Sequence, residues 1–383
     1  MLYDFNLINM HPYFTQSYGS FIKETDQFAE ELIEIKNKYS EQSDLTPFLV
    51  LMDVMEGRVY GEESVAVIDR LRILLKQHNM LGAFILDGDF VHLSKVPQKE
   101  DITYSNFLAL STYYHIVKSK TQKANKKWNS DSQLGLFIPG KLARPHRIHL
   151  IAKLWNKKLL GSIKYSCQIL SSEEQQIKDE FLKYDDGTFE RFKKECTSVL
   201  DLDYSGKPSF ESHGYPYNVK LYEDTSFSII TESDFAWGQT ATEPGKDGNI
   251  NWLPKLTEKT YRAITNKHPF IVCWYPGMIK RIEKLGFRSF TEYLPHPNYN
   301  DIPNLHERIS YTVENIKSFP QVKDKYRTEI ECDVEYNYQL VLDMYDKEFK
   351  KIQHILNLPQ SDNPVHFKTV SHFVNFMFPI PNF

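Results

Sequence analysis

The segments TPFLVLMD (46–53) and GAFILD (82–87) are short apolar runs that end in an acid, and between them SVAVIDRLRILLKQHN (64–79) repeats its apolar residues at helical spacing. This is a strand, helix, strand series. A similar alternation recurs further along. LGLFIP (134–139) precedes a segment opened by Pro145, in which Ile148, Ile151, Trp155 and Leu159 return at helix spacing. SFSIIT (226–231), TEKTYRAITNK (257–267), HPFIVCW (268–274) and MIKRIEKL (278–285, closed by Gly286) then read as strand, helix, strand and helix. Two such regions predict an α/β protein with two open, parallel-type sheets.

Working outward, 383 residues exceed one small binding module, and the 41% hydrophobic content with 25 Phe, 23 Tyr and 5 Trp suffices for large cores. Residues 1–175 are read as an N-terminal α/β domain on the acceptor side, 226–333 as a C-terminal domain. Between them, 176–225 is polar, with a helical part around EEQQIKDEFLKY (173–184) and a Gly/Pro-rich part, and is read as a hinge. The remainder, 334–383, holds an amphipathic helix (334–357) and a tail that pack back on the N-terminal domain, with Tyr338, Val341, Tyr345, Phe349 and Ile352 as the buried stripe. The chain has no apolar run of about 18 residues, and its first residues do not resemble a signal peptide, so a cytoplasmic protein without membrane association is expected. Cys167, Cys196, Cys273 and Cys332 are far apart with no CxxC spacing, which argues for reduced thiols and against a zinc ribbon.

Charge is unevenly spread. Twelve Lys/Arg against one acid, Asp131, lie between Lys118 and Lys164, in a chain whose formal net charge is −4. Such a run is either a solvated surface or a place for phosphates, and Lys123, Lys126 and Lys127 are its candidate nucleic-acid contacts. Within it, KLARPHRIH (141–149) puts Arg144, His146 and Arg147 beside the first turn of the helix begun by Pro145. Cations at that end oppose the helix dipole, so their presence points to an anion held by the arginines and the free N–H groups together, with Arg144 and Arg147 as the clamp of a diphosphate. The stretch Gly135–Lys141 has the glycine and lysine spacing of a phosphate loop, but Leu142 stands where a magnesium-binding hydroxyl is required. Asp87-Gly88-Asp89 has a DxD form, which is read here as a turn and not as a metal site.

The densest signal is IITES (229–233) followed by LTEK (256–259). Thr257 caps a helix whose first turn holds Glu258 and Lys259 at the carboxyl edge of a strand. A carboxylate, an ammonium and a helix start suit a sugar nucleotide, Glu258 accepting from hydroxyls and Lys259 holding phosphate. Without a ligand, the same residues make a capped surface helix.

IITES with LTEK, an apolar strand and the turn WYPG (274–277) resembles the donor-binding half of the α1,3-fucosyltransferases, and with LGFRSF (285–290) it resembles glycosyltransferase-like proteins of bacteriophages and large viruses. The resemblance spans roughly residues 140–290. It implies a GT-B architecture, two Rossmann-like domains facing across a cleft, with Glu232 and Ser233 lining the donor site, Glu258 at the ribose, and Lys259 with Arg144 or Arg147 at the diphosphate. Thr231-Glu232-Ser233 lacks the family's Asn, so donor identity does not carry over. The expected reaction is sugar transfer from a nucleoside-diphosphate sugar to a hydroxyl without an obligatory metal. The acceptor's base is expected from the opposite domain, Asp53 and Glu56 first, Asp87 and Asp89 second. Two acceptor classes stay open, hydroxymethylated bacteriophage DNA and a glycan or small molecule, beside a catalytically inactive nucleotide- or polyanion-binding protein of the same fold.

Overall fold

The computed structural model describes residues 2–9, 28–30, 32–37, 45–53, 62–87, 102–105, 127–139, 142–183, 188–198, 219–232 and 256–357. It is an α/β protein with two parallel sheets, compatible with a Rossmann-like fold. The chain divides into two compact units, one of residues 1–111, 251–255 and 345–383, the other of 112–250 and 256–344.

The first unit contains β1 (Leu2–Asn9), β2 (Leu45–Asp53), β3 (Leu81–Asp87) and β4 (Ile102–Ser105), all parallel and in the order β1-β2-β3-β4. The helix expected between β2 and β3 is α1 (Glu62–Gln77). Its Ile68, Leu71 and Leu75 recur at spacings of three and four and are buried, as are Ala83 and Phe84 of β3.

The second unit contains β5 (Gly135–Phe137), β6 (Ile163–Tyr165), β7 (Phe227–Ile230) and β8 (Phe270–Val272), all parallel, in the order β6-β5-β7-β8. Strands β5, β7 and β8 are buried throughout, as strands covered on both faces should be. Around them lie α2 (Pro145–Asn156), α3 (Glu174–Leu182), α4 (Phe189–Cys196), α5 (Lys220–Glu223), α6 (Glu258–Thr265), α7 (Met278–Lys284), α8 (Leu305–Lys325) and α9 (Arg327–Asn357). No helix among the described residues is long and apolar enough to cross a membrane.

Three expectations change. The described residues of 127–175 do not belong with the N-terminal sheet, because β5 bonds to β7 in register, Phe137 opposite Ile229. Nor do the described residues of 176–225 form a hinge. Phe181, Phe189 and Phe192 are fully buried, Phe181 and Phe192 stack at 4.7 Å between centroids, and Trp155 of α2 meets Phe192 edge-on at 5.7 Å. These aromatics sit on single faces of α3 and α4, so the charged residues between them hide an apolar stripe in the composition. The C-terminal helix is longer than expected, 31 residues, and its buried stripe is Ile330, Val334, Asn337 and Val341. Of the expected stripe Val341 alone is buried; Tyr338 and Tyr345 are half-buried, and the side chains of Phe349 and Ile352 lie outside the described residues. From Tyr345 onward the chain groups with the first unit.

One device ends four helices. After α1, α2, α6 and α7 a residue takes positive φ: Asn79 at 54°, Lys158 at 57°, Lys267 at 55° and Gly286 at 94°. The next amide bonds the carbonyl five residues back, Met80 to Leu75, Leu159 to Leu154 and His268 to Ala263 at 2.9 Å each, and Phe287 to Ile282 at 3.2 Å. This is the Schellman closure, in which a left-handed residue turns the chain out of the helix and satisfies its last carbonyls. Three of the four sites hold a residue with a Cβ, which disfavours that conformation. Lys158 is exposed, so Lys158→Gly should raise stability by about 0.5–1 kcal/mol in urea denaturation, the relief of strain exceeding the added freedom of the unfolded chain. Gly135 is different, because its conformation is ordinary and its neighbour is close. A Cβ there would lie 2.6 Å from the Phe227 ring, itself packed at 4.4 Å on Phe319. Gly135→Ala should therefore cost about 1–3 kcal/mol by the same measurement.

Candidate functional site

The strand order reverses next to β5. From β5 the chain crosses through α2 to β6 on one side, and β7 then pairs with β5 on the other. Such a reversal leaves a crevice at the carboxyl ends of the two central strands, where open α/β sheets bind ligands. Leaving β5, the chain enters α2 through Arg144 and Pro145. Leaving β7, it passes Thr231 and Glu232.

These two exits are bonded to each other. Arg147 donates from a terminal guanidinium nitrogen to the carbonyl of Thr231 at 3.0 Å, and Nε2 of His146 lies 3.1 Å from the carbonyl of Glu232. A carbonyl only accepts, so Nε2 carries the proton. Burial, reinforced by the positive charges of Arg147, Arg144 and Arg308 and only partly offset by that hydrogen bond, holds the His146 pKa well below the ordinary histidine value. His146 is thus a neutral Nε2–H tautomer whose buried Nδ1 has no hydrogen-bond partner. The first turn of α2 contains no acid, and its cap, Arg144, makes no side-chain capping bond. Positive charge and helix dipole therefore add at this end.

On the other side of β7 the expected cap is present: Thr257 accepts from the amide of Lys259 at 3.4 Å. The carboxylate of Glu232 then binds this cap in turn. It accepts from the amide of Thr257 at 2.9 Å and from the hydroxyls of Thr257 and Thr260. Glu232 is wholly removed from solvent, so its carboxylate faces the first turn of α6, not the crevice. Lys259 is half-buried and lines, with Arg262, Ile138 and Ile230, a pocket of about 20 Å³, room for about one water. Glu258 opens α6.

Arg308, on the buried face of α8, is a functional candidate that the sequence reading passed over. It is 1% exposed, and its terminal nitrogen donates to the carbonyls of Ile302 and Pro303, the latter at 2.9 Å. Burial lowers its pKa, Cys273 and Tyr275 oppose the shift, and its charge reaches His146. The available signal was an arginine inside an apolar stripe, between Leu305 and Ile309, Thr312 and Val313.

The remaining candidates are distributed as follows. Asp53 and Asp87 are the last residues of neighbouring strands at the carboxyl edge of the first sheet, in which Asp53 pairs with Leu86. Glu56, Asp89, Ser233, Lys123 and Lys126 lie outside the described residues, and Lys127 is exposed. Among the described residues no group of three His, Cys, Asp or Glu could hold a metal ion. Gly135 belongs to a strand and lies against Phe227, which gives it a packing role in place of a phosphate-loop one. All four cysteines are free, and burial raises Cys167, Cys196 and Cys273 to about 12, which makes them inert thiols.

No protein-family model, curated protein or solved structure matches this chain.

Three buried histidines make the second unit sensitive to acid. Besides His146, burial lowers His149 to about 3, with a contribution from His306, and His268 to about 4. His268 donates from Nε2 to the carbonyls of Tyr222 and Thr225, and its Nδ1 lies 3.0 Å from the Ser228 hydroxyl. Each folded pKa lies below the unfolded value near 6.5, so the stability they contribute is complete above that pH and is lost as pH falls through the folded values. As pH falls below 6.5, stability should therefore fall, with a slope of at most one proton for each such histidine. Urea denaturation across that range checks this, and His146→Gln should flatten the slope by about one proton.

Proposed function

We propose that this chain is a GT-B glycosyltransferase that holds a nucleoside-diphosphate sugar at the carboxyl edge of β5 and β7 and passes the sugar to an acceptor hydroxyl. The observation that carries the reading is the meeting of two cation-bearing helix starts, Arg144–Arg147 and Thr257–Lys259, on adjoining strand exits at the order reversal. The same neighbourhood of Lys259 and the arginines of α2 is what the resemblance to donor-binding halves implies, and it supports the reading. The leaving group is a nucleoside diphosphate whose charge grows as the glycosidic bond breaks. Arg144, Lys259 and the two helix N-termini would stabilise that charge, and preorganised donors of this kind serve where no metal does. The acceptor's proton needs a carboxylate base, for which the sequence offers Asp53, Glu56 and Asp87 as candidates.

Incubating the protein with a panel of nucleoside-diphosphate sugars, followed by mass spectrometry of added glycans and of hydroxymethylated DNA, tests the reaction and separates the acceptor classes. Slow donor hydrolysis is expected even without acceptor. If no donor is consumed, the chain is a binding protein of this fold. Lys259→Ala should weaken UDP or GDP binding about 10- to 100-fold, the effect of removing a charge-assisted hydrogen bond of about 1.5–3 kcal/mol, with an unchanged melting temperature. Unaltered affinity in calorimetry would make Lys259 an ordinary surface residue.

A further inference from the structure

Glu232 bonds to the first turns of both helices at the crevice. Its carbonyl accepts a hydrogen bond from the His146 N–H of α2, its carboxylate accepts from the Thr257 amide and the Thr257 and Thr260 hydroxyls of α6, and the carbonyl just before it accepts from Arg147. The resemblance implies a Glu232 that lines the donor site, but a side chain with no solvent exposure and with its oxygens turned into α6 has no face for a ligand. Thr260 is equally buried, so it too is out of a ligand's reach.

We infer that Glu232 is a positioning residue: its buried carboxylate sets the start of α6, and with it Lys259, at a fixed distance from the arginines of α2. The geometry explains why an acid is needed. An amide side chain has one acceptor oxygen, and here one N–H and two O–H groups converge on two oxygens. The carboxylate accepts all three in charge-assisted bonds, which also offset the cost of burying it. Because Thr257 is both cap and partner, displacement of Glu232 shifts the backbone amides at the start of α6 as well as Lys259. His146 completes the device from the other side. Its neutral N–H can hold the Glu232 carbonyl without placing a further positive charge next to Arg147.

This inference rests on the reading of the crevice as a diphosphate site, and two measurements on the full chain keep the two apart. The first is amide hydrogen exchange of residues 258–265 in the ligand-free protein. The second is affinity for UDP and GDP by calorimetry. The variants are Glu232→Gln, Thr260→Val, their combination, and Thr260→Ser as the conservative control. Thr260→Val removes one hydroxyl without touching the crevice and nearly preserves shape, so it keeps the test available should Glu232→Gln fold poorly. Expected are about tenfold faster exchange at the start of α6 and about tenfold weaker nucleotide binding in each single variant, a double variant no worse than the worse single one, and wild-type behaviour for Thr260→Ser. If Glu232→Gln abolishes binding while Thr260→Val leaves exchange and affinity unchanged, the carboxylate meets the ligand directly and the positioning role is wrong. If the wild type binds neither nucleotide, the donor reading fails. Exchange alone then decides: unchanged rates in Glu232→Gln and Thr260→Val overturn the inference, and faster rates in both uphold the clamp on α6.

Discussion

A carboxylate removed from solvent joins the strand β7 to the start of α6 in the second unit. Charge burial is costly unless every lone pair facing the interior is met, and Glu232 meets one amide and two hydroxyls within the first turn of α6. Its backbone carbonyl and that of Thr231 meet His146 and Arg147 in the first turns of α2. A strand only four residues long thus organises the helices on both sides of it through the two residues that follow it.

The electrostatics follow from the same packing. Arg147 and Arg308 are almost wholly buried, and the hydrogen bonds described for them end on carbonyl oxygens. His146 is driven neutral by burial and by those arginines, so it supplies a proton for hydrogen bonding but no further charge. At the start of α2 the helix dipole adds to the arginine charges, whereas the start of α6 already meets the Glu232 carboxylate. A general affinity for extended polyanions is a separate matter. Part of the basic run is used internally: Arg147 is buried, Lys153 bonds Ser310, and Lys164 pairs with Asp224 at 2.7 Å, while Lys127, Lys157 and Lys158 stay exposed.

Helices α2 and α8 also meet through polar side chains, the buried His149 against the exposed His306. His149 of α2 and His306 of α8 share a hydrogen bond of 3.1 Å, with ring centroids 4.9 Å apart. Burial keeps His149 neutral, and the nearby Lys153 lowers both rings further. The pair therefore tolerates its own closeness near neutral pH, where one ring donates and the other accepts.

Much of this molecule was legible one segment at a time. Apolar runs of strand length, the 3.6-residue period of α1 and α2, Pro145 at a helix start, Thr257 as a cap and Gly286 after a helix are local effects of backbone sterics and burial, and each recurs in the structure. So was the presence of Arg144, Arg147, Glu232, Glu258 and Lys259 as candidates, since charged groups beside helix starts are unusual enough to register in a sequence. Their meeting was decided elsewhere. Strand order depends on which apolar faces cover one another, and no local signal states that β5 pairs with β7, which is why the described residues of 127–175 were assigned to the wrong sheet and the aromatic faces of α3 and α4 to a hinge. The direction of the Glu232 side chain, the neutrality of His146 and the burial of Arg308 likewise exist only once distant segments pack, because each follows from the exclusion of water and the supply of partners from another part of the chain.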